Sequence, residues 1–166
     1  ARFLSVAGGD ERLERLAVLF LFTYPGAPCV YYGDEIGLEG GKDPDCRRAF
    51  PWDERRWDHD LRDFYRLITR LRHQHAVLRR GSFEVLHAAG QVLVYLRRLE
   101  EEVAVIVINR SAAVSFELDL PVADGLPDGM TLRNVIGHGG AAVSEGRLHG
   151  LTLPPLAAAV LLPENG

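Results

Sequence analysis

Gly26-Ala27-Pro28-Cys29-Val30-Tyr31-Tyr32-Gly33-Asp34-Glu35-Ile36-Gly37 is the stretch that decides the fold of this chain. Residues 28–32 are apolar or aromatic at successive positions, so both faces of the pleat are apolar, as in a strand covered on both sides within a parallel sheet. A glycine and two acids follow at once. Helix, short turn and buried strand is the rhythm of an α/β barrel or a doubly wound sheet. In either architecture the ligand site lies at the carboxyl ends of the strands. The sequence predicts a strand over residues 28–32, with Asp34 and Glu35 at its ligand-bearing end.

Upstream, residues 1–9 read as a loop ending in Gly8-Gly9, and Asp10 is a candidate N-cap. Leu13, Leu16, Ala17, Phe20 and Leu21 recur at helical spacing. The helix is expected to stop before Pro25-Gly26, because the residue before a proline disfavours the α region. Downstream, residues 37–57 form a long connection punctuated by Gly37, Gly40, Gly41, Pro44 and Pro51. Irregular connections of that length are uncommon in compact domains and are often functional. Trp52 and Trp57 lie within it, and core packing is the favoured reading for both. Asp58 or Asp60 then caps a second helix. Its apolar stripe is Leu61, Phe64, Tyr65, Ile68 and Leu71, and Arg62, Arg66, Arg70 and Arg72 fall mostly on a solvated face.

The period changes after Arg79-Arg80-Gly81. Short apolar or alternating runs follow at 83–87, 91–99, 103–109, 115–120, 131–136, 147–153 and 158–162, with a Pro/Asp/Gly-rich loop over 121–129. Several short strands with regular turn signals indicate an antiparallel sandwich. The expected architecture is α/β followed by all-β, divided at about residues 1–80 and 81–166.

Composition narrows the function. The 166 residues are 47% hydrophobic and 25% charged, with a net charge of −4. Lys and Arg are interspersed with acids, which argues against a nucleic-acid partner. The apolar run at 16–22 is far short of the ~20 residues that span a bilayer, so no membrane partner is expected. No signal peptide is visible. Cys29 and Cys46 give no disulfide framework, consistent with a reducing cytoplasm, and Cys29 reads as a small buried hydrophobe. The six histidines show no metal spacing; His73 and His75 near a helix end are expected to face solvent or favour the helix dipole. No metal or cofactor is predicted. The chain opens Ala-Arg-Phe-Leu and its single methionine is Met130, so it reads as a piece of a longer protein.

Two sets of residues bear on chemistry. Asp34 and Glu35 invite comparison with a glycosidase carboxyl pair, whose members flank one bond roughly 5 to 9 Å apart. Adjacent residues on a strand point in opposite directions, so at most one of them reaches a cleft. Asp43 and Arg47 are better ligand candidates: a carboxylate acceptor and a forked guanidinium donor together suit sugar hydroxyls, which donate and accept. The bland alternative is that they pair with each other and tie down the loop, and spacing alone leaves both readings open. Asp43 and Asp45 alternate as calcium ligands do, but the remaining ligands of such a loop do not follow.

Gly26-x-Pro28 with Tyr31-Tyr32-Gly33-Asp34-Glu35-Ile36-Gly37 resembles the eighth-strand motif of the α-amylase family of glycoside hydrolases. Gly40-Gly41-x-Asp43-Pro44-x-Cys46-Arg47-Arg48, followed by Phe50-Pro51-Trp52, resembles the branch of neopullulanases, cyclomaltodextrinases, maltogenic amylases and maltodextrin glucosidases, with the Phe-Pro-Trp ending leaning towards the last. The resemblance implies that the chain is the last helix–strand–helix part of a (β/α)8 barrel plus a C-terminal β-sandwich. It implies a retaining hydrolase acting on α-1,4-linked maltodextrins or cyclodextrins, with Asp43 and Arg47 contacting sugar. Arg2-Phe3-Leu4 resembles the stretch just after the family's His-Asp motif, which puts all three catalytic acids upstream of Ala1. The resemblance thus implies a fragment that is inactive alone, and because such a piece cannot close a barrel, its apolar faces are expected either to pack the helices on the sandwich or to drive self-association through the barrel remnant. The readings set beside it are a transglycosylase of the same clan, a non-enzymatic amylase-like scaffold and a glucan-binding module.

Overall fold

The computed structural model describes residues 1–122 and 126–164. Four helices come first: α1 (Phe3–Val6), α2 (Glu11–Thr23), α3 (His59–Gln74) and α4 (Ala76–Arg80). Eight strands follow: β1 (Glu84–Ala89), β2 (Val92–Leu99), β3 (Glu102–Asn109), β4 (Phe116–Pro121), β5 (Thr131–Asn134), β6 (Gly140–Ser144), β7 (Arg147–Leu153) and β8 (Ala157–Pro163).

The helix starts are local chemistry. Asp10 caps α2, its carboxylate accepting from Arg12 N at 3.0 Å. Asp58 caps α3 by accepting from Leu61 N at 2.8 Å. Each satisfies one of the orphan amides of a first turn. As expected, α2 ends before Pro25, and the stripe of α3 is buried at Leu61, Tyr65, Ile68 and Leu71.

The described strands form one sheet in the order β1-β2-β3-β8-β5-β6-β7-β4, every pairing antiparallel. The expected sandwich is this single sheet folded over on itself. Its central strands are apolar on both faces, and the period of two sorts their side chains into two cores. Tyr95, Ala104, Ile106, Ile108, Val160 and Leu162 face the helices and pack with Leu19, Phe22, Leu61, Ile68 and Leu78. Val94, Val105, Val107, Ala159 and Leu161 face the other way, onto Leu118, Leu132, Val143, Leu148 and Leu153. The helices and the sheet therefore share a core.

Several expectations are corrected. Residues 28–31 adopt no regular structure, Tyr32 begins a turn, none of them pairs with a described strand, and Cys29, Val30, Tyr31 and Tyr32 are exposed. Strand formation needs a ladder partner for its N–H and C=O groups, and no described strand runs beside this segment. Asp34 and Glu35 consequently lie in a 3-10 turn, Asp34–Ile36, rather than at a strand end. Residues 3–6 are a helix, not a loop, and Arg2 and Leu4 are buried. Trp52 is 83% exposed and packs its ring against Phe50, whereas Trp57 is half-buried and donates from Nε1 to Pro51 O at 2.5 Å. His73 is exposed and His75, half-buried at the C-terminal end of α3, lies 3.0 Å from Glu102, a contact the sequence does not indicate. Strand β6 lies outside every expected run, and the middle of the 121–129 loop lies outside the described residues.

Arg72 and Arg97 are also buried, contrary to the reading of Arg72 as a solvated position. Arg72 donates to Phe22 O at 2.6 Å and Leu78 O at 2.7 Å, and also to Gly26 O. Arg97 donates to Ser82 O at 2.8 Å, Gly81 O at 2.9 Å and Leu78 O at 3.1 Å, and also to Thr23 O. The last turn of α2 holds no basic residue of its own. Its orphan carbonyls are met instead by cations from a distant helix and a distant strand. Burial lowers the pKa of both guanidiniums.

Candidate functional site

The site is built on the segment from Tyr31 to Arg48. Gly33 and Gly37 bracket the 3-10 turn with φ of 88° and 76°, left-handed values that a side chain would strain. Glu35 Oε2 accepts from Gly33 N at 2.8 Å, and Asp34 turns back to Arg2. Arg2 is the anchor. Its Nη1 donates to Asp34 Oδ1 at 2.6 Å and to Tyr32 O at 2.8 Å. The rings of Tyr31 and Tyr32 lie 4.7 and 4.9 Å from its guanidinium carbon, a cation–π arrangement.

Burial raises the pKa of Asp34, against the opposing pull of Arg2. Glu14 of α2 is raised as well, first by burial and also by the charge of Asp34, although it accepts from Tyr65 Oη at 3.0 Å. Nε and Nη2 of Arg2 and Oε2 of Glu14 are buried with no hydrogen-bond partner. A cavity of about 600 Å³ opens beside this cluster, lined by Val30, Glu35, Tyr65 and the arginines Arg62, Arg66 and Arg70 among others. Among the described residues, no group of three His, Cys, Asp or Glu is placed to hold a metal ion.

The N-terminal segment also fixes the loop. Arg2 N donates to Gly40 O at 2.9 Å, and Gly40 N donates to Ser5 Oγ at 2.9 Å. A Cβ at Gly40 would sit 2.7 Å from Cys46 Cα and 2.8 Å from Asp45 O, so only glycine allows the loop to double back here. Asp45 closes it, accepting from Gly41 N at 2.6 Å and from Arg48 through Nε at 2.8 Å and Nη2 at 2.9 Å. The Arg48 fork and the Gly41 amide together hold the Asp45 carboxyl below its ordinary range. Tyr32 Oη donates to Arg48 O at 3.1 Å and ties the loop to the aromatic pair.

Between these anchors stand the two predicted site residues. Arg47 Nε lies 2.7 Å from Asp43 Oδ1, and both side chains are about two-thirds exposed, at 68% and 64%. The structure thus brings Asp43 and Arg47 together as an exposed ion pair on the loop, with Arg47 Nη2 also 3.5 Å from Asp43 Oδ2 and Cys46 Sγ 3.9 Å from Asp43 Oδ1. Tyr31 is close enough for Arg47 to act on its hydroxyl, which desolvation and Tyr32 push up in pKa.

Residues 1–70 match the family model described as the alpha amylase catalytic domain, and residues 83–160 match the maltogenic amylase C-terminal domain. The chain belongs to the α-amylase family. It is 49% identical over 115 residues to a cyclomaltodextrinase from a Bacillus species, covering 68% of this chain and 21% of that protein. It is 43% identical over 127 residues to neopullulanase 2 of Thermoactinomyces vulgaris, covering 75% of this chain and 22% of that protein. The solved structure of Ttha1563 from Thermus thermophilus superposes with a TM-score of 0.88 at 34% identity, covering 98% of this chain and 33% of that one. The chain therefore spans about a fifth of the length of the curated relatives it matches.

For this α-amylase family member, sequence reasoning places the loop and its two outward residues but misses what holds them. Arg2 and Glu14 are charged positions in segments read as a loop and as a helix. Their burial follows from contacts 32 and 51 residues away, which periodicity does not report. The one signal is negative. Glu14 sits on the same face as the buried Val18 and one turn from it, where an amphipathic helix would carry an apolar residue.

Proposed function

We propose that this chain is the C-terminal portion of a retaining α-glucan hydrolase acting on α-1,4-linked maltodextrins or cyclodextrins. In this reading residues 1–80 close the catalytic domain and residues 81–166 form the β domain behind it. The observation that carries the proposal is the Asp43–Arg47 pair, held outward on a loop whose other ion pair, Asp45 with Arg48, is engaged in closing the loop itself. The names of the relatives, cyclomaltodextrinase and neopullulanase, support the substrate class.

The chemistry assigned to these residues is recognition. Asp43 accepts hydrogen bonds from sugar hydroxyls and Arg47 donates to them, so a glucan replaces part of the pair's mutual contact. Tyr31 and Tyr32 present apolar ring faces beside them. Bond cleavage is assigned to an Asp nucleophile and a Glu acid/base outside residues 1–166, acting through a covalent glycosyl intermediate. The two cysteines are unpaired, which supports a reducing, cytoplasmic setting.

The test is an assay of maltodextrin and cyclodextrin cleavage by the purified 166-residue chain and by a longer polypeptide that carries it behind the rest of the catalytic domain. The proposal expects cleavage only from the longer form, with hydrolysis products dominating. Cleavage by the short chain overturns it, and a product mixture of lengthened glucans reassigns the activity to transglycosylation.

A further inference from the structure

We propose that Arg97 is a positioning residue through which the β domain fixes the turn that launches the glucan-facing segment. The inference rests on the glucan reading of the loop only for its functional meaning; its geometry stands alone. Arg97 belongs to β2, is 0% exposed, and its hydrogen bonds go to carbonyls. Its guanidinium gathers them from three separate places: Thr23 at the end of α2, Leu78 in α4, and Gly81 and Ser82 at the entry to the sheet.

Tyr95, two residues earlier on the same face of the strand, reaches the same spot. Thr23 Oγ1 donates to Leu19 O at 2.6 Å, which leaves it to accept from Tyr95 Oη at 2.5 Å. Arg72 of α3 shares the Leu78 carbonyl with Arg97 and holds Phe22, Tyr24 and Gly26. The carbonyls of Phe22, Thr23, Tyr24 and Gly26 are thus tied to α3 or to β2. From Ala27 to Tyr32 the chain pairs with no described strand, and the next guanidinium contact described there is Arg2 on Tyr32 O. The direction in which residues 27–36 leave α2 is therefore set at its start by Arg72 and Arg97, and the loop bearing Asp43 and Arg47 follows from it.

A buried guanidinium suits this task because five N–H donors in a rigid fork can serve several carbonyls at once, and a lysine ammonium cannot reproduce that geometry. Replacing it should loosen one end of the site segment and leave the far core intact.

The test is hydrogen exchange on the 166-residue chain carrying Arg97→Lys, Tyr95→Phe or Leu118→Ala. Leu118 is buried in the core on the opposite face of the sheet and serves as a destabilised control. The expected result is amide exchange about tenfold faster over residues 23–36 in Arg97→Lys, the size of one lost hydrogen bond, with β3 and β8 unchanged. Tyr95→Phe, which keeps its ring, gives the same pattern at smaller amplitude and decides the test if Arg97→Lys does not fold. Uniform loosening of every element, or faster exchange over residues 23–36 in Leu118→Ala equal to that in the other variants, overturns the proposal. Maltotriose titration of the wild-type chain is a separate readout: its failure counts against the glucan reading and leaves the exchange result to decide the role of Arg97.

Discussion

Arg2 and Asp34 form a buried ion pair, with Nη1 2.6 Å from Oδ1 and the Arg2 side chain 1% exposed. The pair joins the first residues of the chain to the turn after residues 28–32. Removing one partner of a buried pair leaves an uncompensated charge, which typically costs about 3 to 5 kcal/mol. Arg2→Met, which leaves Asp34 without its cation, is accordingly expected to destabilise the chain by about 3 kcal/mol, the lower end of that range because Asp34 keeps some solvent. Urea denaturation of the variant checks this, and a loss below about 1 kcal/mol, the scale of surface pairs, would contradict it.

Stability should rise on mild acidification. Glu14 and Asp34 are held above their ordinary values of 4.5 and 3.8 in the folded chain. The folded state then binds protons more readily than the unfolded state through the window just above those values, so stability falls as pH rises through it. The exposed carboxyls Asp45 and Asp119 are held below 3.8 and act only at lower pH. Glu14→Gln should therefore be more stable than wild type at pH values well above the window, such as about 7. The gap should close towards about pH 4.5, as wild-type Glu14 takes its proton. Urea midpoints at several pH values measure it, and a gap independent of pH would count against the assignment.

The loop should be intolerant of a single methyl group at Gly40. A Cβ there meets backbone atoms of Cys46 and Asp45 at 2.7 and 2.8 Å, whereas at Gly41 it meets only the movable Asp45 Oδ2 at 3.2 Å. Overpacking of this kind costs about 1 to 3 kcal/mol. Gly40→Ala is expected to lower the thermal midpoint clearly more than Gly41→Ala, and the reverse order in a thermal melt would refute the packing argument.

Phe3, Val30, Tyr31 and Tyr32 are exposed, and Phe3, Leu13 and Phe20 line an apolar groove of about 540 Å³ between α2 and the β1–β2 turn. Apolar patches of this kind drive association. The 166-residue chain is expected to exceed its 18.4 kDa monomer mass in light scattering, with Phe3→Ser reducing the excess. A wild-type chain that stays monomeric as its concentration rises would remove the prediction.

Local chemistry is the legible part of the fold. Asp10 and Asp58 announce helix starts because a cap acts within three residues, and β2, β3, β7 and β8 announce themselves through apolar runs. Strand β6 does not, because Gly140, Ala141 and Ala142 carry too little side chain to register as a strand. The segment 28–32 has strand composition without strand pairing, since composition encodes propensity and a ladder needs a neighbour. Arg72 and Arg97 are illegible for a related reason: their acceptors are carbonyls of distant segments, and a carbonyl has no residue letter. At the site, Asp43 and Arg47 are visible by residue type and spacing, while their mutual pairing is one of two open readings until the structure places them 2.7 Å apart.

The most direct test of the account is the effect of Asp43→Ala and Arg47→Ala on kcat/KM for maltodextrin in the longer polypeptide. Because the pair is exposed, its loss should change stability by less than about 0.5 kcal/mol. Each lost charged hydrogen bond to sugar should lower kcat/KM by about tenfold or more. The account predicts that loss of activity at an unchanged thermal midpoint. Full activity in both variants would contradict it and leave the Asp43–Arg47 pair as a tie within the loop.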